Sequence, residues 1–242
     1  MDLKNAEEFD IDLETMKVKP TPQHKKNPKY TRGEEIFNYV THIVGGGLGI
    51  IGLALGLIFA IIYELEPIGI VAVIIFGISM VVMYTMSSLY HGLKPGKAKR
   101  VFRIFDHICV YLLIMGTYTP YCLITLYGMW QGWLVFGIVW GVGILGIISK
   151  ALGMKNKFLT TATFVSYLVI GWIAVVAIGP LLEHLASGGL WLLLAGGISY
   201  TMGAVFYALG HKKRYIHSIW HLFVLGGTIC HFISILLYVI MA

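Results

Sequence analysis

The sequence predicts an all-α membrane protein, a bundle of seven transmembrane helices with a cytoplasmic N-terminus and an extracytoplasmic C-terminus. Three observations predict it. Of the 242 residues, 57% are hydrophobic and only 12% are charged, whereas a soluble domain of this size carries about 25% charged residues. The charges are unevenly placed. Pro67–Leu93, His107–Ser149, Phe158–Leu182, His184–His211 and Tyr215–Ala242 contain no Asp, Glu, Lys or Arg. A bilayer-spanning helix needs about 20 mostly apolar residues, and these stretches are too long and too numerous for a water-soluble fold. Finally, all 18 Lys and Arg residues fall in alternate connections between the apolar segments.

Residues 1–33 read as a mobile cytoplasmic tail. They mix acids, lysines and Pro20, Pro22 and Pro28 without apolar periodicity. No apolar core stands near Met1, so no cleavable signal peptide is expected and the first hydrophobic helix serves as the insertion signal. The membrane domain fills residues 34–242. Its first helix covers 34–62, with Gly45, Gly49, Gly52 and Gly56 recurring on one side, and its second covers 67–91. The third, 104–126, contains Pro120, which removes a backbone donor and should kink it. The break before the fourth helix, 131–149, falls at Tyr127-Gly-Met-Trp-Gln-Gly132, since Gly favours turns and Trp the membrane interface. In that helix Gly137 and Gly141 repeat the small-residue spacing that lets backbones approach closely in lipid. The last three helices cover 158–178, 190–209 and 216–240. Cys109, Cys122 and Cys230 lie inside apolar segments without CxxC spacing and read as packing residues, not disulfides.

Orientation follows from the basic residues. Seven precede the first helix, five lie between the second and third, three between the fourth and fifth, and three between the sixth and seventh. The other connections carry none, and two of them carry Glu64, Glu66 and Glu183. Positive residues stay on the cytoplasmic side, so the chain ends lie on opposite sides and the helix count is odd. The formal net charge of +6 thus reflects orientation in a cell membrane. No nucleic-acid partner is expected, and no GxxxxGK[ST] phosphate loop is present.

Ionisable groups inside a membrane are costly and face the bundle interior. His91 ends the second helix three residues before Lys94, Asp106 begins the third three residues after Arg103, and His217 begins the seventh three residues after Arg214. At 1.5 Å per residue each offset is about 4.5 Å, so three helices deliver these groups to similar depth below the cytoplasmic boundary. His217-Ser-Ile-Trp-His221 places two imidazoles at i and i+4 on one face. That pair can grip one metal ion, with His91 as a third ligand and an open position for water on Zn²⁺. Zinc lowers the pKa of such a water towards about 7. Asp106 would act as general base or orient a histidine. Ser87, one turn before His91, would contact the site or a substrate carbonyl, or else satisfy a helix carbonyl. Interfacial histidines without a metal are the competing reading.

The remaining histidines carry less. His231 lies ten residues beyond His221, about 15 Å deeper, and is expected to hydrogen-bond inside the bundle. Glu35, Asn38 and His42 form either a polar stripe lining the cytoplasmic entrance or a solvated helix start. His107 points about 100° away from Asp106, and His24 and His211 are expected to be solvated.

These residues resemble the hemolysin III family, the bacterial branch of the progestin and adipoQ receptor superfamily. The resemblance rests on Glu35…Asn38-Tyr-Val-Thr-His42, Ser87-Ser-Leu-Tyr-His91, Phe105-Asp-His107 with Gly116-Thr-Tyr-Thr-Pro120, and His217-Ser-Ile-Trp-His221, in order over about residues 30–242. It implies seven helices with a cytoplasmic N-terminus. It implies zinc on His91, His217 and His221, with Asp106 holding the zinc-bound water and Ser87 nearby. A further relation to alkaline ceramidases implies hydrolysis of a lipid amide. This chain lacks the longer soluble N-terminal region of the adiponectin receptor branch, and the family name implies haemolytic activity. The leading expectation is a zinc-containing lipid hydrolase serving membrane homeostasis. The alternatives are a non-enzymatic receptor or sensor with structural zinc, and a channel or pore-forming protein.

Overall fold

The computed structural model describes residues 9–12, 17–20, 30–153, 157–209 and 214–242. The chain divides into two compact units, Met1–Thr31 and Arg32–Ala242. In the first, β1 (Phe9–Asp12) pairs antiparallel with β2 (Lys17–Pro20), Phe9 opposite Pro20 and Asp12 opposite Lys17. The rest of the expected tail, with His24, lies outside the described residues, as does His211.

The second unit is helical: α1 (Arg32–Ile62), α2 (Pro67–Gly92), α3 (Lys97–Pro120), α4 (Trp130–Gly153), α5 (Lys157–Gly171), α6 (Ile178–His184), α7 (Ser187–Leu209) and α8 (Ile216–Ile235). Among the described residues, seven helical segments are long and apolar enough to cross a membrane, the fifth of them made from α5 and α6 together. Their outer faces are apolar, as lipid requires: Ile61 is 68% exposed and Trp191 is 70% exposed. In water such faces would drive association. The core lies where α2 packs between α1 and α3 and where α8 packs on α7 and α1. Phe76, Met80, Tyr84, Cys109, Val224 and Ile235 are buried there.

Three features depart from a simple reading of apolar segments. First, α3 starts at Lys97 rather than 104. Lys and Arg are good helix formers, and an apolar-window criterion cannot see a charged first turn. Second, α3 gives way after Pro120 to a π-helical turn, Tyr121–Thr125, the wider coil expected where proline withholds a backbone donor. Third, the fifth span is broken. After Gly171 the chain runs through a 3₁₀ segment, Ile173–Ala177, before α6. Pro180 contributes at the far end of this segment, where its ring excludes the Val176 carbonyl and it offers no N–H. The Tyr118 hydroxyl mends the break. It donates to the Gly171 carbonyl at 2.8 Å and accepts from the Ala174 N–H at 3.2 Å, satisfying backbone groups that lipid cannot.

The glycines of α1 do allow close packing. A Cβ on Gly45 would lie 2.5 Å from the Tyr84 ring, and one on Gly56 would lie 2.9 Å from Val73. The expectation for α4 is corrected. Nothing lies within 4 Å of a Cβ built on Gly137 or Gly141. The glycines of α4 that do meet neighbours are Gly132, against Leu126 and Cys122, Gly143, against Met115, and Gly146, against Tyr111. Regular spacing marks a small-residue stripe but does not say whether a partner helix or lipid faces it. The cysteines are free, Cys109 and Cys122 being buried.

Candidate metal centre and the cavity beside it

The end of α2, the start of α1 and the start of α8 meet at one end of the bundle. Glu34 fixes the last of these. Its Oε1 accepts the backbone N–H of Tyr215 at 2.8 Å, in the residue that opens α8 with the left-handed φ of 60°. A carboxylate at a helix N-terminus also suits the helix dipole. This contact ties α8 to α1 and sets the position of His217.

His217 and His221 stand one turn apart, with their Nε2 atoms 3.1 Å from each other. His91 joins them from α2. One nitrogen from each of these three buried histidines lies within 4.8 Å of the others, so the three could hold a metal ion. The imidazole donor set suits a borderline-soft divalent ion. Asp106 does not belong to this close cluster; it is half-buried and lines the adjoining cavity.

The ring of His91 is oriented from behind. Its Nδ1 lies 2.6 Å from Glu35 Oε2, and Lys99 donates to Glu35 Oε1 at 2.8 Å. Lys99 also donates to the Leu93 carbonyl at 3.0 Å. An ionised carboxylate only accepts, so Nδ1 carries the hydrogen and Nε2 keeps the lone pair a metal would use. A carboxylate behind a ligating histidine is the arrangement that fixes its tautomer and raises its basicity. Asn38 is fully buried and accepts from Ser218 at 2.7 Å, joining α1 to α8 one residue after His217. His42, one turn further along α1, stacks on His221 with ring centroids 3.9 Å apart. The stripe Glu35–Asn38–His42 therefore faces inward, and the solvated-helix alternative is set aside.

Beside the histidines lies a cavity lined by Ser87, Asp106, His217 and His221 and by apolar residues such as Leu113 and Val224. Ser87 is 1% exposed, and its Oγ makes no hydrogen bond among the described residues. It is thus not tied to a helix carbonyl. A second cavity is lined mostly by apolar groups of the fifth and sixth spans, such as Trp172, Ile178 and Leu194. The two share Thr117, Tyr118, Gly171 and His231 in their walls. His231 bonds within the bundle as expected, its Nε2 lying 3.1 Å from the Leu193 carbonyl. His107, discounted on helical angle, nevertheless lines the first cavity.

Two contributors escaped the sequence reading. Glu35 stands on the polar stripe, but its partner on α2 is 56 positions away and no local spacing reveals it. Lys99 stands before the apolar stretch of the third helix, in a charged first turn that carries no apolar signal.

Fold and site together define a polytopic helical membrane protein with a buried three-histidine centre at one end of an apolar cavity. The chain belongs to the haemolysin-III related family, whose model matches residues 30–232. It is 43% identical over 207 residues to Hemolysin-3 of Bacillus cereus, covering 86% of this chain and 92% of that one. It is 41% identical over 209 residues to the Hemolysin-3 homolog of Bacillus subtilis, covering 86% and 96%. More distantly, it is 26% identical over 220 residues to the adiponectin receptor protein of Drosophila melanogaster, covering 82% of this chain and 49% of the receptor.

Proposed function

We propose that the protein is a zinc-dependent hydrolase of membrane lipids, acting on an amide bond at the cytoplasmic leaflet of the cell membrane. One observation carries the reading: three buried imidazoles converge, and two of them, His217 and His221, line a cavity whose other walls are largely apolar. Structural zinc takes four protein ligands, and a catalytic ion keeps a position open. The close set has three members, which favours the enzyme over a structural staple. When bound, zinc supplies Lewis acidity toward a carbonyl oxygen.

The chain's own groups do the remaining work. His91, His217 and His221 hold the ion, and Glu35 and Lys99 hold His91. Asp106 takes a proton at its carboxylate from the attacking water and returns it to the leaving amine. Ser87, whose hydroxyl has no other bond to make, donates to the substrate carbonyl. The apolar cavity excludes water and holds the acyl chain. The sidedness is supported by the basic residues of alternate connections, which favour an inward N-terminus and histidine cluster.

The test is turnover of short- and long-chain lipid amides by purified protein in nanodiscs. Wild-type protein should release free acid. Asp106→Ala should lose at least about 100-fold, in line with removal of a general base, while keeping its metal. Equal turnover by Asp106→Ala, or none by the metal-loaded wild type, would count against the reading.

A further inference from the structure

The waist where the two cavities meet has an unusual polarity. Each polar hydrogen on the side chains there is already donated to the protein. Thr117 gives its hydroxyl hydrogen to the Leu113 carbonyl at 2.7 Å. Tyr118 gives its own to the Gly171 carbonyl at 2.8 Å. His231 faces the Leu193 carbonyl through Nε2 at 3.1 Å. A carbonyl only accepts, so Nε2 carries the hydrogen and Nδ1 is a bare lone pair. That Nδ1 is buried and has no hydrogen-bond partner among the described residues. Tyr200, beside it with ring centroids 5.3 Å apart, also lines the first cavity. Its hydroxyl is 2.7 Å from Thr228 Oγ1. Thr228 already donates to the Val224 carbonyl at 3.0 Å, so Tyr200 is the donor in that pair. The buried Tyr121 hydroxyl, which has no hydrogen-bond partner among the described residues, lines the second cavity and a smaller third one but not the first, so it stands outside the shared walls.

Among the side chains shared by the two cavities, the polar atom left without a partner is therefore an acceptor, His231 Nδ1. The close approach is built in: a Cβ on Gly196 would collide with the His231 ring. An acceptor left bare in an apolar site is costly. A ketone, ether or ester would meet it lone pair to lone pair, whereas a hydroxyl would satisfy it.

We propose that this waist is a hydrogen-bond-accepting subsite, with His231 Nδ1 at its centre, for a chain that carries a hydroxyl group part-way along its length. His231 lies ten residues from His221 on one helix, about 15 Å of rise. An extended chain advances about 1.2 Å per bond, so the hydroxyl belongs near the twelfth carbon from the end held at the histidines. The inference rests on the part of the proposed function that puts an acyl chain in the cavity, and it is independent of turnover.

The test is equilibrium binding of three probes to the full-length protein in nanodiscs: stearic acid, its hydroxyl derivative at the twelfth carbon, and the ketone at the same carbon. The hydroxyl derivative should bind about three- to tenfold more tightly than the ketone, the range one hydrogen bond provides. His231→Phe should abolish that ratio while still binding stearic acid. Equal binding of hydroxyl and ketone derivatives by the wild type would overturn the inference and leave the acyl-chain reading standing. Binding of none of the three would overturn both.

Discussion

Glu35 on α1 and His91 on α2 meet at 2.6 Å, and through that contact the start of one helix sets the ring of another. Lys99, reaching over from α3 at 2.8 Å, holds the carboxylate in turn. Three helices thus fix one imidazole. Glu35→Ala should weaken metal binding about 10- to 100-fold, the usual effect of removing such a supporting group. Lys99→Met should weaken it less, because the carboxylate remains, and Lys99→Arg should come close to wild type. Chelator competition on purified protein measures all three. Unchanged affinity in Glu35→Ala would show that His91 needs no support from behind.

Helix packing gives a paired prediction. A side chain at Gly45 meets the Tyr84 ring, while one at Gly141 meets nothing within 4 Å. Gly45→Val should destabilise the bundle by about 1–3 kcal/mol through overpacking. Gly141→Ala should change it by no more than about 1 kcal/mol, and favourably, since alanine is the better helix former. Unfolding in mixed micelles separates the two, and equal losses would contradict the packing described for α1 and α4.

A hydroxyl network crosses the core near mid-span. Tyr84 donates to Thr228 at 2.8 Å, and Tyr200 donates to the same oxygen at 2.7 Å. Thr228→Val leaves two buried donors unsatisfied and should cost about 1–3 kcal/mol. Tyr84→Phe removes donor and need together and should cost about 0.6 kcal/mol, typical of a bond between membrane helices. The same unfolding assay would refute this ordering if Tyr84→Phe proved the more damaging.

The bundle was legible in the sequence because lipid imposes a blunt requirement. Every spanning segment must be long and apolar, and charges must gather at the ends. His217 and His221 were legible as a pair because one helical turn separates them. His91 followed from depth, which topology supplies. Four things were not legible. The Glu35–His91 contact joins residues far apart in sequence, so it needs the α1–α2 packing itself. The charged first turn of α3 carries no apolar signal, which hid Lys99. Gly137 and Gly141 have the spacing of a packing stripe but face no neighbour, since spacing does not identify what lies opposite. The break in the fifth span is bridged by Tyr118, a residue from another helix, which no local spacing reveals.

Sidedness is tested by labelling. Glu66 and Lys97 are both exposed and lie at opposite ends of α2. In intact cells a membrane-impermeant thiol reagent should modify Glu66→Cys from outside and leave Lys97→Cys untouched until the cells are opened. The wild type, whose cysteines lie within the helices, sets the background. The reverse pattern would invert the proposed orientation and move the histidine centre to the outer leaflet.

The central claim is that His91, His217 and His221 together hold a metal ion. Its most direct measurement is the metal content of purified protein, by elemental analysis, in the wild type and in His217→Ala and His221→Ala. The wild type should carry close to one zinc per chain, as one three-histidine site requires, and either variant little or none while the helical signal is retained. Folded variants that keep their zinc, or a wild type that takes up none when zinc is offered, would contradict it.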